Sequence, residues 1–334
     1  MKSLLPLFGL TVVWSASVFA APSYPSAGSI ERLDPAFDAL IAPDAKLERL
    51  AEGFNWSEGP VWFEGSVLFS DVPENVVYRW KEGMTAAEVF LKPSGLLTPA
   101  PGFREPGSNG LAVDAKGRLL LAQHGERRVA RWEDGQFTSL ADRHDGKRFN
   151  SPNDLAVRKN GDIYFTDPSY GLEGTNNSPL KELPFNGVYR VTPGGEVTLL
   201  APGLSAPNGI AFSPDESVLY IGVSDGREPR VVAYDVKADG TLENERTFFD
   251  ARPRREAGYR GGCDGLKVDR EGNVWATGPG GVLVIAPRGK LLGALLTGQA
   301  TANCGWGGAD GSVLYITADM FLMRVQTKTK GAGW

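Results

Sequence analysis

Six segments of the chain repeat one shape: a polar residue, a glycine or turn residue, a short apolar strand, a turn, and a second apolar strand. They open at Ser57-Glu58-Gly59-Pro60, Ser108-Asn109-Gly110-Leu111, Pro152-Asn153-Asp154-Leu155, Pro207-Asn208-Gly209-Ile210, Cys263-Asp264-Gly265-Leu266 and Asn303-Cys304-Gly305-Trp306. The in-phase positions 58, 109, 153, 208, 264 and 304 lie 40 to 56 residues apart, close to the length of one four-stranded blade. Turn clusters such as Lys159-Asn160-Gly161-Asp162 part the two apolar runs of a repeat, a hairpin signal. A unit of this kind cannot bury its apolar face alone, so neighbours must cover it. A β-sandwich would not require six repeats in phase. The pattern predicts an all-β, six-bladed β-propeller of four-stranded antiparallel blades over residues 47–334. Leu47 to Phe54 is expected to add a strand to the last blade and close the ring. Residues 21–46 read as an extension with one short helix, opened by Asp34 as N-cap and Pro35 at the first helical position.

Residues 1–20 have another composition. Lys2 precedes an apolar run to Ala20, and small residues lead up to Ala21-Pro22, the form of a secretory signal peptide cleaved after Ala20. The expectation is an exported protein, periplasmic or secreted. A net charge of −5 without a polybasic run argues against nucleic acid or anionic lipid as partner. An oxidising compartment permits a disulfide between Cys263 and Cys304, but inner-strand cysteines more commonly pack as small apolar side chains, so free thiols are expected.

In a propeller, residues at the same phase of successive repeats converge on the axis. Here those are Glu58, Asn109, Asn153, Asn208, Asp264 and Cys304. Two carboxylates brought together out of water repel one another unless a cation joins them. Carboxylate and amide oxygens favour a hard divalent ion over zinc, and the share of amides leans towards Ca²⁺. An isolated Asn-Gly is more often a turn former than a ligand; recurrence in phase favours the ligand reading. Other chemistries find little support. No Gly-x-Ser-x-Gly elbow occurs, His124 and His144 are the only histidines, and there is no phosphate loop or dinucleotide fingerprint.

These motifs resemble the senescence-marker-protein/gluconolactonase family of six-bladed propellers. The resemblance rests on Ser57-Glu58-Gly59-Pro60-Val61-Trp62, Ser151-Pro152-Asn153-Asp154, Ala206-Pro207-Asn208-Gly209 and Cys263-Asp264-Gly265. Phe165-Thr166-Asp167-Pro168-Ser169-Tyr170-Gly171 and Gln123-His124-Gly125-Glu126-Arg127-Arg128 look like its bacterial gluconolactonase branch. The resemblance implies one divalent ion on Glu58, Asn208 and Asp264, with Asn153 beside it as a further ligand or a substrate contact. Ca²⁺ is the first choice, with Mg²⁺, Mn²⁺ or Zn²⁺ as alternatives.

The implied reaction is opening of a sugar lactone such as D-glucono-1,5-lactone, the ion polarising the carbonyl. Two initiations are compatible with it: Asp264 taking a proton from water, or attack by a hydroxide held on the ion. Expected substrate contacts are Asn109, His124, Arg148, Asn153, Asp167 and Tyr170, with the long segments 92–107 and 170–186 as lids. The competing readings are a phosphotriesterase or broader lactonase, and a binding propeller whose ion is structural.

Overall fold

A computed structural model describes residues 23–334, so the leader expected at 1–20 lies outside the described residues. Six antiparallel sheets stand around one axis. Their innermost strands are Ser57–Phe63, Ser108–Val113, Leu155–Val157, Pro207–Phe212, Leu266–Val268 and Thr301–Gly307, one from each repeat. From each of them a meander of hairpins runs outwards. In blade one, Ser57–Phe63 pairs with Ser66–Asp71, which pairs with Val76–Trp80, which pairs with Glu88–Leu91.

Blade six is assembled from both ends of the sequence. Its outer strand is Glu48–Glu52, which pairs with Phe321–Gln326 in the register Glu48↔Arg324 and Glu52↔Phe321. This is the segment expected to close the ring. The extension before it contains a five-residue 3₁₀ helix, Pro35–Ala39, whose N-cap Asp34 accepts the Ala36 N–H at 2.8 Å. It also carries a strand the repeats do not announce. Ser29–Arg32 pairs with Leu291–Leu296 and makes blade five five-stranded, covering an edge that would otherwise be open to another chain.

Apolar side chains pack between adjacent blades. One such cluster joins Trp275, Val284 and Leu295 of blade five to Leu314, Ile316 and Met323 of blade six, with Phe37 of the 3₁₀ helix sealing its side. At some points near the axis the space between inner strands is already filled, and glycine follows from that. A Cβ on Gly209 would stand 2.3 Å from the Asp264 carbonyl oxygen, and one on Gly265 would stand 2.0 Å from Asn303 Cγ. The Gly209 N–H donates to Asp264 O at 3.2 Å, and the Gly265 N–H to Ala302 O at 2.7 Å. The recurring polar-Gly pair is therefore the place where one blade leans on the next. Both cysteines are free and buried.

Candidate active site

The inner strands run along the axis, and residues at or just before their starts surround a cavity of about 390 Å³. Its wall includes Glu58, Asn109, Asn153, Asn208 and Asp264, five of the six in-phase positions. The sixth, Cys304, points away. Its thiol lies 3.4 Å from Trp275 O within the apolar cluster between blades five and six, and burial pushes its pKa up to about 12.

Bonds within each blade and hydroxyl bonds to the next blade hold these residues. The Asn153 N–H donates to Thr166 O at 2.8 Å, and the Thr166 hydroxyl donates to Asn208 O at 2.6 Å. The Asn208 amide donates to Ser224 Oγ at 3.1 Å, which fixes that amide's orientation, while Ser224 in turn donates to Cys263 O. The Asp264 N–H is donated to Thr277 Oγ1 at 3.1 Å.

What these bonds leave free is the informative part. Asn109 Oδ1, Asn153 Oδ1, Asn208 Oδ1 and Asp264 Oδ1 are all buried without a hydrogen-bond donor. Buried acceptors are nearly always satisfied, so four orphans on one cavity wall call for something positive. Glu58, beside them, is pushed up to about 8 by burial and then by the Asp154 carboxylate. Asp264 is raised well above the usual carboxylate range by burial, then by Glu58, Asp154 and Glu105. Both shifts express negative charge held out of water beside other carboxylates. Among the described residues no three Asp, Glu, His or Cys side chains form a cluster of the metal-binding kind. The set owes its size to asparagine amides. Such a donor set suits a hard, oxygen-loving divalent cation.

The two long segments expected as lids are joined to each other. Phe103 and Leu172 form a β-bridge, Arg104 and Glu105 donate their N–H groups to Gly171 O at 3.0 and 3.3 Å, and the Glu173 N–H donates to Gly102 O at 2.9 Å. This union brings Arg104, Glu105 and Tyr170 to the cavity wall, where Trp56, Ser224 and Gly262 complete it. Burial, then the Asp264 charge, raises the Tyr170 phenol. Arg104 and Glu105 went unread because residues 92–107 have no period to place them. Ser224 had a signal, being the first polar residue after the apolar strand Val218–Val223.

Three expected substrate contacts stand elsewhere. His124 is fully buried behind the wall, with Nδ1 3.2 Å from Glu105 O and its ring packed under Gly171. Arg148 is drawn to Glu126 O by its guanidinium, and its N–H donates to Glu182 Oε2 at 2.8 Å. Asp167 is fully buried, accepts the Asn150 N–H at 2.8 Å, and is raised to about 7 chiefly by burial. None of the three lines the cavity.

The buried imidazole gives a pH prediction. Burial holds His124 down at about 3, against an ordinary 6.5, with the Glu105 carboxylate 3.8 Å away and Arg104 near it. A folded-state pKa below the unfolded one means that the neutral ring contributes its full stability above pH 6.5. That contribution is lost as pH falls through the window from 6.5 to about 3. His124→Asn can keep a donor near Glu105 O without the titration. In urea melts, the stability gap between wild type and variant should change by up to about 1.4 kcal/mol per pH unit below 6.5, in the variant's favour. A gap that stays constant from pH 7.5 to 4 would show that the ring does not titrate this way.

Comparison with known proteins accords with this architecture. The SMP-30/Gluconolactonase/LRE-like region is matched over residues 56–319. The chain belongs to this family. A gluconolactonase of Zymomonas mobilis is 40% identical over 314 residues, covering 91% of this chain and 87% of that protein. The structure of a gluconolactonase from Xanthomonas campestris superposes with a TM-score of 0.78 at 33% identity, covering 93% of this chain and 99% of that one. A calcium-binding regucalcin from Agrobacterium tumefaciens, at 20% identity and a TM-score of 0.65 over 92% of this chain and 96% of its own, shares the fold.

Proposed function

We propose that this member of the SMP-30/gluconolactonase family opens a sugar lactone, such as D-glucono-1,5-lactone, to the aldonic acid. The observation that carries the reading is the convergence of four unpartnered buried oxygens with Glu58 on one cavity. Glu58, Asn153, Asn208 and Asp264 would hold one divalent cation there, Ca²⁺ by the hardness of the donors. The gluconolactonase names of the relatives support the substrate class. The apolar leader supports export.

When bound, the ion supplies an electrophile that polarises the lactone carbonyl and favours the charge that develops on attack. The chain's own residues do the rest. Asp264 accepts a proton from the attacking water as the new C–O bond forms at the carbonyl carbon. The ring C–O bond then breaks, and the proton passes to the departing ring oxygen, leaving a free acid and a hydroxyl. Asn109 Oδ1 can accept a sugar hydroxyl, while Tyr170 and Arg104 offer donors at the wall. A wall built mostly of amide, carboxylate, hydroxyl and guanidinium groups suits a hydroxylated substrate. It suits an apolar phosphotriester less, because unpaired wall groups would be left behind.

The test is acid release from D-glucono-1,5-lactone by chelator-stripped protein as Ca²⁺, Mg²⁺ or Zn²⁺ is restored, beside a phosphotriester substrate. Ion-restored lactone opening is the expected result. No lactone turnover with any ion would discard it. Phosphotriester cleavage alone would favour the phosphotriesterase, and inertness to both a binding propeller.

A further inference from the structure

The repeat departs from its own pattern in two places, and the two meet on the axis. In blade three the glycine that follows the in-phase residue in the other repeats is replaced by Asp154, and in blade six Asn303 stands immediately before the in-phase Cys304. Both side chains are buried, and neither reaches the wall of the candidate active site. Asn303 Nδ2 lies 3.2 Å from Glu58 Oε2 and 3.3 Å from Asp154 Oδ2, so one amide group serves two carboxylates. Its Oδ1 accepts the Cys304 N–H at 2.9 Å, which turns the NH₂ towards them.

A third carboxylate so close to Glu58 and Asp264 requires compensation, since an unpaired buried charge is expensive. Lys267 of blade five supplies it, with Nζ 3.5 Å from Asp154 Oδ2 and 3.0 Å from Leu266 O. Lys267 comes from the opposite end of the inner strands. It lines a second cavity of about 370 Å³ together with Pro60, Leu111, Leu155 and Ile210. The Asn303 amide sees a carboxylate on either side, and a neutralised Asp154 leaves the Glu58 oxygen at a defined place instead of repelling it.

We propose that Lys267, Asp154 and Asn303 form a positioning chain that runs up the axis and holds Glu58 for metal binding. The proposal rests on the reading of Glu58 as a ligand. Groups that orient metal ligands without touching the metal typically change affinity by about 10- to 100-fold when removed. The ammonium contributes here through two intermediaries, so its removal should be felt in binding even though it lies at the far mouth.

Titration calorimetry of Ca²⁺ into stripped protein tests it, with wild type, Lys267→Met, Lys267→Arg, Asn303→Ala and the Lys267→Met/Asn303→Ala double variant. The expected result is affinity lowered about tenfold or more by each of Lys267→Met and Asn303→Ala. Lys267→Arg should recover most of it, and the double variant should bind no worse than the weaker single, since residues in one chain do not add. Lactone turnover should show the same order as a shift in the Ca²⁺ requirement, with kcat at saturating Ca²⁺ within a few-fold of wild type. Wild-type affinity in folded Lys267→Met, or losses that simply add, would overturn the chain. Should Lys267→Met fail to fold, Asn303→Ala against Lys267→Arg decides it: unchanged affinity in Asn303→Ala overturns the proposal. A wild type that binds no divalent ion removes the metal reading itself, a failure distinct from either.

Discussion

Asp264→Asn should lower kcat/KM for lactone opening by about 10³-fold or more while leaving the metal-free protein as stable as wild type or more so. The substitution keeps the size of the side chain and one oxygen, and it removes both the charge and the proton acceptor. Loss of a positioned general base alone typically costs about 10²- to 10⁴-fold. Loss of one of the two carboxylates among the proposed ligands weakens the hold on a cation as well. Stability moves the other way because the Asp264 carboxylate is disfavoured in the folded protein by burial and by Glu58, Asp154 and Glu105. A neutral amide does not suffer that repulsion.

Thermal melts with and without Ca²⁺ separate these effects. A ligand at a hundredfold excess over its Kd stabilises the protein that binds it by about 2.7 kcal/mol, so wild type should gain on adding Ca²⁺ and the variant should gain less. Activity within tenfold of wild type, or a metal-free melt several degrees lower, would remove Asp264 from the role assigned to it.

The part of the site that could be read in advance is the part fixed by repetition. Glu58, Asn109, Asn153, Asn208 and Asp264 recur in phase, and the ring turns phase into convergence. In blade six this logic slips by one residue. Successive side chains in a strand point to opposite faces, so the strand that sends Cys304 into the apolar cluster presents Asn303 to the axis. His124, Arg148 and Asp167 misled for a different cause. Each is held away from the cavity by a bond within the protein, to the carbonyls of Glu105 and Glu126 and the N–H of Asn150. Arg104 and Glu105 had no signal beyond their place in a segment expected as a lid, since they reach the cavity only through pairing of two irregular segments distant in sequence. The strand Ser29–Arg32 belongs with them. Four residues without a clear alternation say little until an open edge is there to receive them.

Repetition also explains why the glycine after an in-phase residue carries as much of the site as the ligand does. Gly209→Ala adds one methyl group at a point where the backbone of blade five is already in contact. The new Cβ would stand 2.3 Å from Asp264 O, 2.6 Å from Gly265 Cα and 2.7 Å from the nitrogen of Leu266, all main-chain atoms that cannot rotate away. Relief requires the inner strands of blades four and five to part, which stretches the bond from the Gly209 N–H to Asp264 O. Overpacking in a close-packed interior typically costs about 1–3 kcal/mol and more where backbone must move, so a loss of at least about 3 kcal/mol is expected here. The displacement also moves Asp264 relative to Asn208, and lactone turnover should fall with stability instead of surviving it. Gly203→Ala is the control, because a Cβ there meets nothing within 4 Å. Urea unfolding of the two variants beside wild type decides the matter. A Gly209→Ala protein as stable and as active as Gly203→Ala would mean that the blades do not lean on one another at this point, and that the repeated glycine has some other cause.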